Sequence, residues 1–413
     1  MNLLISAGEA SGDLHGARLL AALKRRHPDV SASGMGGERL EAEGLKRIVE
    51  SEAVSVVGIF EVFEKVPALF RALARMRSAA RRSPPDAAIL IDFPDFNGLL
   101  ARRLHRDGVP LIYYVSPQVW AWRPGRARTI ARMARRIVTL FPFEAEIYRR
   151  LGADAVCAGH PLVDDVREGL EADPPLPPND KHRLVLLPGS RGAEVRRHWV
   201  PMLEAGAALA RRFDLEVAVV RAPGLPEDLF SSAAERGFPV VATGRHALIA
   251  SSELAFVASG TATLETALCG TPMVVVYRTS AASFAIGKRL VRVPWISLVN
   301  IVAGEGVVPE LLQEQVHPAR LEREGAALLG SPERLAQMRM ALARVARQVG
   351  PPGGSERAAD AILEVIGPQE RRRPGGRRGP QGPPPTDTQE SYRFGGPQGP
   401  PQRDCSDTFL AGR

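Results

Sequence analysis

The chain has 413 residues and a mass of 44.6 kDa, too long for one small domain and suited to two of ordinary size. Apolar residues make up 45% and charged residues 24%, which excludes a disordered chain and fits a soluble, folded one. The net charge of +8 points toward anionic partners, but it is carried almost wholly by arginine and comes with no helix-turn-helix, RNP or zinc-finger pattern, so nucleic acid is not an expected partner.

Targeting and covalent features are sparse. The apolar runs at residues 2–7 and 272–277 are far shorter than the roughly 20 residues of a membrane span. The N-terminus lacks the basic and long apolar regions of a signal peptide. Cys157, Cys269 and Cys405 are far apart and form no C-x-x-C, so neither a disulfide framework nor a thiolate metal site is expected.

Short apolar strands alternate with amphipathic helical segments. Strands are predicted at 2–7, 86–92, 111–116 and 136–141, then at 183–187, 215–221, 240–243, 254–259 and 273–277. Helical spacing covers 14–26, 97–106, 194–212 and 261–268. Strands this uniformly apolar are covered on both faces, which predicts parallel sheets in doubly wound α/β domains. The proline-dense stretch 171–180 reads as the linker. The expected division is 1–170, 181–366 and a Pro/Gly/Arg-rich tail, 367–413, too poor in aliphatic residues to fold. Helices near 332–349 and 356–366 are placed to cross back to the first domain or to a second subunit.

Five segments carry the chemistry. Gly8-Glu9-Ala10-Ser11-Gly12-Asp13 follows the first strand; its glycines allow close approach, with Asp13 read as the cap of the next helix. Its two carboxylates suit sugar hydroxyls better than phosphate. Asp92 ends a buried strand, where partial desolvation would raise its pKa toward that of a useful base, and Asp95 is read as capping the helix that contains Asn97. Residues 116–123, with Ser116, Trp120, Trp122 and Arg123, offer aromatic faces for sugars or acyl chains and a guanidinium for phosphate. In the second half, Gly189, Ser190 and Arg191 precede a helix N-terminus and fit a diphosphate. Ser259-Gly260-Thr261-Ala262 repeats that scheme. Glu265, one turn beyond Thr261, suits a ribose diol. There is no D-x-D, H-x-x-x-H or G-x-S-x-G, so neither a divalent metal nor a serine hydrolase is expected. Val62, Phe63, Val66, Leu69 and Phe70 form an apolar stripe edged by arginines, as an interfacial membrane element would.

In these segments, with Gly159-His160-Pro161-Leu162 and residues 297–304, the chain resembles the lipid-A-disaccharide synthases, inverting GT-B glycosyltransferases of Gram-negative bacteria. The motifs run in the family's order from residue 1 to about 366. Two features depart from the family pattern: Gln118 in the Ser-Pro-x-x-Trp loop, and the long tail. The resemblance implies two Rossmann-like domains facing a cleft and no cofactor. The implied reaction moves 2,3-diacylglucosamine from its UDP derivative to 2,3-diacylglucosamine 1-phosphate (lipid X). It implies UDP held by Gly189, Ser190, Arg191, Ser259, Gly260, Thr261, Ala262, Glu265 and Asn300. Asp92 would be the base and Arg191 the stabiliser of the leaving group. Gly8, Glu9, Ser11, Asp13, Asn97, Ser116, Trp120 and Arg123 would border the acceptor sugars. The enzyme would be cytoplasmic and peripheral on the inner membrane, with a homodimer left open. The second-domain motifs alone also permit a transferase or epimerase of UDP-N-acetylglucosamine; the first-domain loops argue for the synthase. An adaptor that binds membranes or nucleic acid through the tail is the reading from a different class.

Overall fold

The computed structural model describes residues 1–50, 61–117, 125–173, 182–280, 284 and 294–366; for Ala10 and residues 61–66 it describes the backbone alone. The tail and most of the proline-dense stretch lie outside these residues.

The first lobe is a seven-stranded parallel sheet. Its strands are β1 (Asn2–Ala7), β2 (Ser31–Gly36), β3 (Leu45–Glu50), β4 (Ala87–Ile91), β5 (Leu111–Tyr114), β6 (Ala134–Thr139) and β7 (Ala155–Cys157), in the order β3-β2-β1-β4-β5-β6-β7. The second lobe has β8 (Arg183–Leu187), β9 (Glu216–Val220), β10 (Val240–Val241), β11 (Leu254–Ala258), β12 (Met273–Tyr277) and β13 (Glu310–Leu312), in the order β10-β9-β8-β11-β12-β13. Every pairing is parallel. Helices cover both faces, so β1, β4, β8 and β11 are buried almost throughout. This is the pair of Rossmann-like lobes expected from the alternating pattern. β2, β3, β7 and β13 escaped sequence reading. β2 is Ser-Ala-Ser-Gly-Met-Gly, with little strand propensity, and β7 and β13 have three residues each.

Two helix starts differ from expectation. The first helix begins at Ala10, with Glu9 at its N-cap, so Asp13 lies inside the first turn. Asp13 serves another helix instead: its buried carboxylate accepts from the backbone N–H groups of Gly37 (2.7 Å), Arg39 (3.1 Å) and Leu40 (3.2 Å), where Glu38–Ala42 begins. The helix after β4 begins at Pro94 with Phe93 at its N-cap, and Asp95 pairs with Arg126.

The last helix, Gly354–Ile366, lies beyond the second sheet in sequence but packs on the first lobe, against Ala10–Arg26 and β6. Glu356 pairs with Arg25 and Arg26, Asp360 with Arg26, and Glu364 with Arg136. Its N-terminus is held by Asp164 of the helix Leu162–Ala172, which accepts from Gly353 (2.7 Å) and Gly354 (3.2 Å). Nearby, His15 and His160 sit edge to face, 5.7 Å apart and buried. Desolvation holds both neutral: with help from Arg18 it brings His15 down to about 4, and with help from His15 it brings His160 down to about 3.

Two outcomes are expected. Asp164→Ala strands two backbone donors, one of them buried, and should lower the urea unfolding free energy by about 1–3 kcal/mol. The depressed histidine pKa values contribute stability that is present above about pH 6.5 and lost as pH falls toward 4 and 3. His15→Leu should therefore flatten the slope of unfolding free energy against pH between 6.5 and 4; an unchanged slope would contradict it.

Candidate functional site

Four of the motif loops lie where strand order reverses. In each sheet the first strand is flanked by the second on one side and the fourth on the other, so the chain leaves toward opposite faces and opens a crevice at the strands' carboxyl ends. Residues 8–12 follow β1 and residues 92–97 follow β4. Residues 188–191 follow β8 and residues 259–261 follow β11. The two crevices face each other: Arg191 Nη2 lies 4.0 Å from Glu9 Oε2, and Arg191 Nη1 donates to Glu194 Oε1 at 3.2 Å.

On the first lobe, the backbone around Asp92 is strained. Asp92, Phe93 and Val115 take φ of 45°, 47° and 59°, which non-glycine and above all β-branched residues avoid. The three are coupled, since the Asp92 N–H donates to the Val115 carbonyl at 3.0 Å. Asn97, fully buried, holds the bend: its Nδ2 donates to the carbonyls of Ser6 (3.3 Å), Ile91 (3.1 Å) and Asp92 (2.7 Å), and its Oδ1 accepts from Ser6 Oγ at 2.6 Å. Asn97 thus positions Asp92, and its amide is spent within the lobe. The bend lays the Phe93 ring over Gly8, where any Cβ would come within 2.1 Å of it. Burial and then the negative charge of Glu9 push the Asp92 carboxyl up to about 6, against a smaller pull from the Phe93 N–H. A carboxylate so placed can take up and release a proton near neutrality.

On the second lobe, Ser190, Arg191, Gly260 and Thr261 are exposed at the starts of the helices Gly192–Phe213 and Thr261–Leu268, whose first-turn N–H groups have no acceptor within the helix. His198, absent from the sequence reading, ties the first of these loops to β12. Its Nε2 accepts from the Arg278 N–H at 2.9 Å and its Nδ1 faces the Pro188 carbonyl at 3.1 Å, which fixes the tautomer. Ser259 Oγ donates to the Ile296 carbonyl at 3.1 Å. Asn300 is buried with every amide atom engaged, to Val307, Val308 and Glu310, so it shapes the 304–310 turn from beneath. Glu310, also missed, gathers the N–H groups of Ile296 and Ser297, each at 2.9 Å.

Glu265 is not a solvated side chain. It is buried, with Oε1 2.6 Å from His246 Nε2 and bonded to Arg245 Nε. Burial alone would raise its carboxyl, but the His246 and Arg245 contacts outweigh that and hold it below its usual value. The other edge of His246 meets the first lobe: a Cβ on Gly169 would fall 1.9 Å from its Nδ1. The helix Leu162–Ala172 therefore seats directly on the group that aims Glu265.

The remaining predicted residues scatter. Ser11 is exposed on the first helix turn and Ser116 is buried at the end of β5. Trp120 and Arg123, with Gln118 and Trp122, lie outside the described residues, as do the side chains of Val62, Phe63 and Val66. In the helix Glu61–Arg82, Phe70 is 51% exposed and Leu69 half-buried, while Leu73 and Met76 face the core. Arg77 and Arg81 of the arginine edge pair with Asp107. Among the described residues, no three His, Cys, Asp or Glu side chains gather as metal ligands, and no helix is long and apolar enough to cross a membrane.

The Glu9 contribution to Asp92 is testable directly. Glu9→Gln removes the neighbouring negative charge, so the Asp92 carboxyl, followed by carbon-13 NMR titration, should shift down from about 6 while staying above the ordinary value.

Comparison with known proteins fits this geometry. The family model described as lipid-A-disaccharide synthetase matches residues 3–365. The lipid-A-disaccharide synthase of Myxococcus xanthus is 41% identical over 383 residues, covering 89% of this chain and 98% of that protein. That of Geobacter sulfurreducens is 41% identical over 375 residues, with 89% and 98% covered. Solved structures share the fold at low identity. The UDP-GlcNAc 2-epimerase from Neisseria meningitidis bound to UDP-GlcNAc gives a TM-score of 0.55 at 11% identity, covering 88% of this chain and all of the other. The calicheamicin glycosyltransferase CalG4 gives 0.57 at 14%, with 89% and 99% covered. Acinetobacter baumannii MurG gives 0.55 at 14%, with 88% and 99% covered. The chain belongs to the lipid-A-disaccharide synthase family of glycosyltransferases, and its motif loops line the two facing crevices of a GT-B fold.

Proposed function

We propose that the chain transfers 2,3-diacylglucosamine from UDP-2,3-diacylglucosamine to the 6-hydroxyl of 2,3-diacylglucosamine 1-phosphate, with inversion at the anomeric carbon. The observation that carries the reading is Asp92: a largely desolvated carboxylate on a strained bend at one switch point, beside Glu9, which itself reaches to within 4.0 Å of Arg191 at the other. In this reading the acceptor hydroxyl gives its proton to the Asp92 carboxylate as its oxygen bonds to the anomeric carbon. The bond from that carbon to the UDP oxygen breaks on the opposite face, and UDP departs with the electron pair. One base suffices for such an in-line displacement.

Charge developing on the diphosphate is met by Arg191 and by the N–H groups opening Gly192–Phe213 and Thr261–Leu268, without a call on a metal. Glu265, kept ionised and aimed by His246 and Arg245, keeps its second oxygen for the ribose diol. The UDP-GlcNAc carried by the Neisseria meningitidis structure supports a UDP-sugar on this fold. The exposed Phe70 supports docking on an anionic membrane surface from the cytoplasmic side.

Purified protein given both substrates with EDTA present should form the β-1,6 disaccharide 1-phosphate and UDP. Asp92→Asn and Arg191→Ala should each lower kcat by about 10²-fold or more. Because the base acts deprotonated, kcat/KM should fall as pH drops through about 6. A folded, UDP-binding wild type that makes no disaccharide, or uses only a water-soluble acceptor, would overturn the assignment. Val66→Ser with Phe70→Ser should weaken sedimentation with anionic liposomes; unchanged sedimentation would retire the docking role.

A further inference from the structure

A cavity of about 240 Å³ lies between the helices Pro94–Arg106 and Gly125–Met133, beside the Asp92 bend. One wall is apolar, from Leu99 and Ile130. Apart from Asp95 and Thr129, its polar lining is Tyr113, Arg102 and Arg126. Tyr113, from β5, reaches it with a buried hydroxyl that has no hydrogen-bond partner among the described residues. Such a group costs free energy unless a ligand completes it. Arg102 and Arg126 line the same cavity, and both guanidinium charges act on that hydroxyl. Arg126 pairs with Asp95, whose side chain is 70% exposed. An ion pair so exposed is weak, and a dianion can outcompete the carboxylate.

Two cations and a spare hydroxyl donor beside an apolar wall select a phosphate monoester joined to an apolar body. We propose that this cavity binds the phosphate end of the lipid acceptor. The Tyr113 hydroxyl and the Arg102 and Arg126 guanidiniums donate to its terminal oxygens, and Leu99 and Ile130 contact the adjoining apolar portion. The inference rests on the acceptor named above. Pro94 both lines the cavity and stands two residues after Asp92, so a phosphate here anchors the sugar next to the base. Asp95 then acts as the internal anion that occupies Arg126 until the acceptor arrives.

The test is equilibrium binding in detergent of 2,3-diacylglucosamine 1-phosphate and of its dephosphorylated counterpart, kept separate from turnover. Wild type should bind the phosphorylated lipid more tightly by about tenfold or more. Arg102→Gln with Arg126→Gln should erase that preference while leaving the affinity for UDP unchanged, which also reports that the variant is folded. Tyr113→Phe, the milder change, should reduce the preference in part, and Asp95→Asn should increase it. A preference that persists in both the arginine and tyrosine variants, or its absence in wild type, overturns the subsite. Preference in binding without disaccharide formation would leave the subsite standing and sink the proposed reaction.

Discussion

Parallel pairing is the constraint on which the rest depends. A parallel strand must be followed by a crossover, so every strand in both lobes ends at the same edge of its sheet. Reversal of strand order between β1 and β4, and again between β8 and β11, opens a crevice at that edge in each lobe. Glu9, Asp92, Arg191 and Thr261 all sit on the four loops these strands feed. The strands themselves carry almost nothing but packing, and their buried aliphatic side chains make the edge rigid enough to hold a strained bend.

That bend shows how packing is converted into reactivity. Three consecutive structural facts act on one carboxylate: Asn97 ties down the carbonyls around it, Phe93 closes over Gly8, and Glu9 adds negative charge from the facing loop. Left-handed backbone at Asp92, Phe93 and Val115 costs free energy that the surrounding sheet must offset. The result is a group whose proton affinity lies near neutrality. On the opposite lobe the logic is reversed. Glu265 is buried too, but His246 and Arg245 keep it ionised. Two buried carboxylates thus differ in proton affinity: burial, with the Glu9 charge added, raises Asp92, whereas at Glu265 the His246 and Arg245 contacts outweigh burial.

The lobes are connected by more than the linker. Asp164 and the Glu356, Asp360 and Glu364 carboxylates fasten the last helix to the first lobe, while Gly169 brings the helix Leu162–Ala172 against His246. The chain therefore crosses between lobes twice, and the helix that leads into the first crossing, Leu162–Ala172, meets the Glu265 cluster through His246. Any rotation of one lobe on the other must work through these contacts, which couples lobe position to the geometry that aims Glu265.

Much of this was legible in the sequence. Strands as apolar as Ala87–Ile91 or Leu254–Ala258 admit one environment, and the glycine-bearing loops that follow them declare the crevice side. Asp92, Arg191, Thr261 and Glu265 were singled out this way, as polar side chains at the end of a buried strand or the start of a helix. What failed were assignments that depend on partners distant in the chain. Asp13 read as the cap of its own helix, yet it serves residues 37–40; Asn97 and Asn300 read as ligand contacts, yet both amides are consumed inside their lobes. His198, His246 and Glu310 carried no local signal at all. Periodicity and spacing encode which face of an element is buried, so sequence alone determined the doubly wound pattern, nine of the thirteen described strands, the switch-point loops and the candidate base. The partner that a buried polar group will find is set only when distant segments pack, and with it are set the pKa, the orientation and the cavity. Tertiary structure alone decided those.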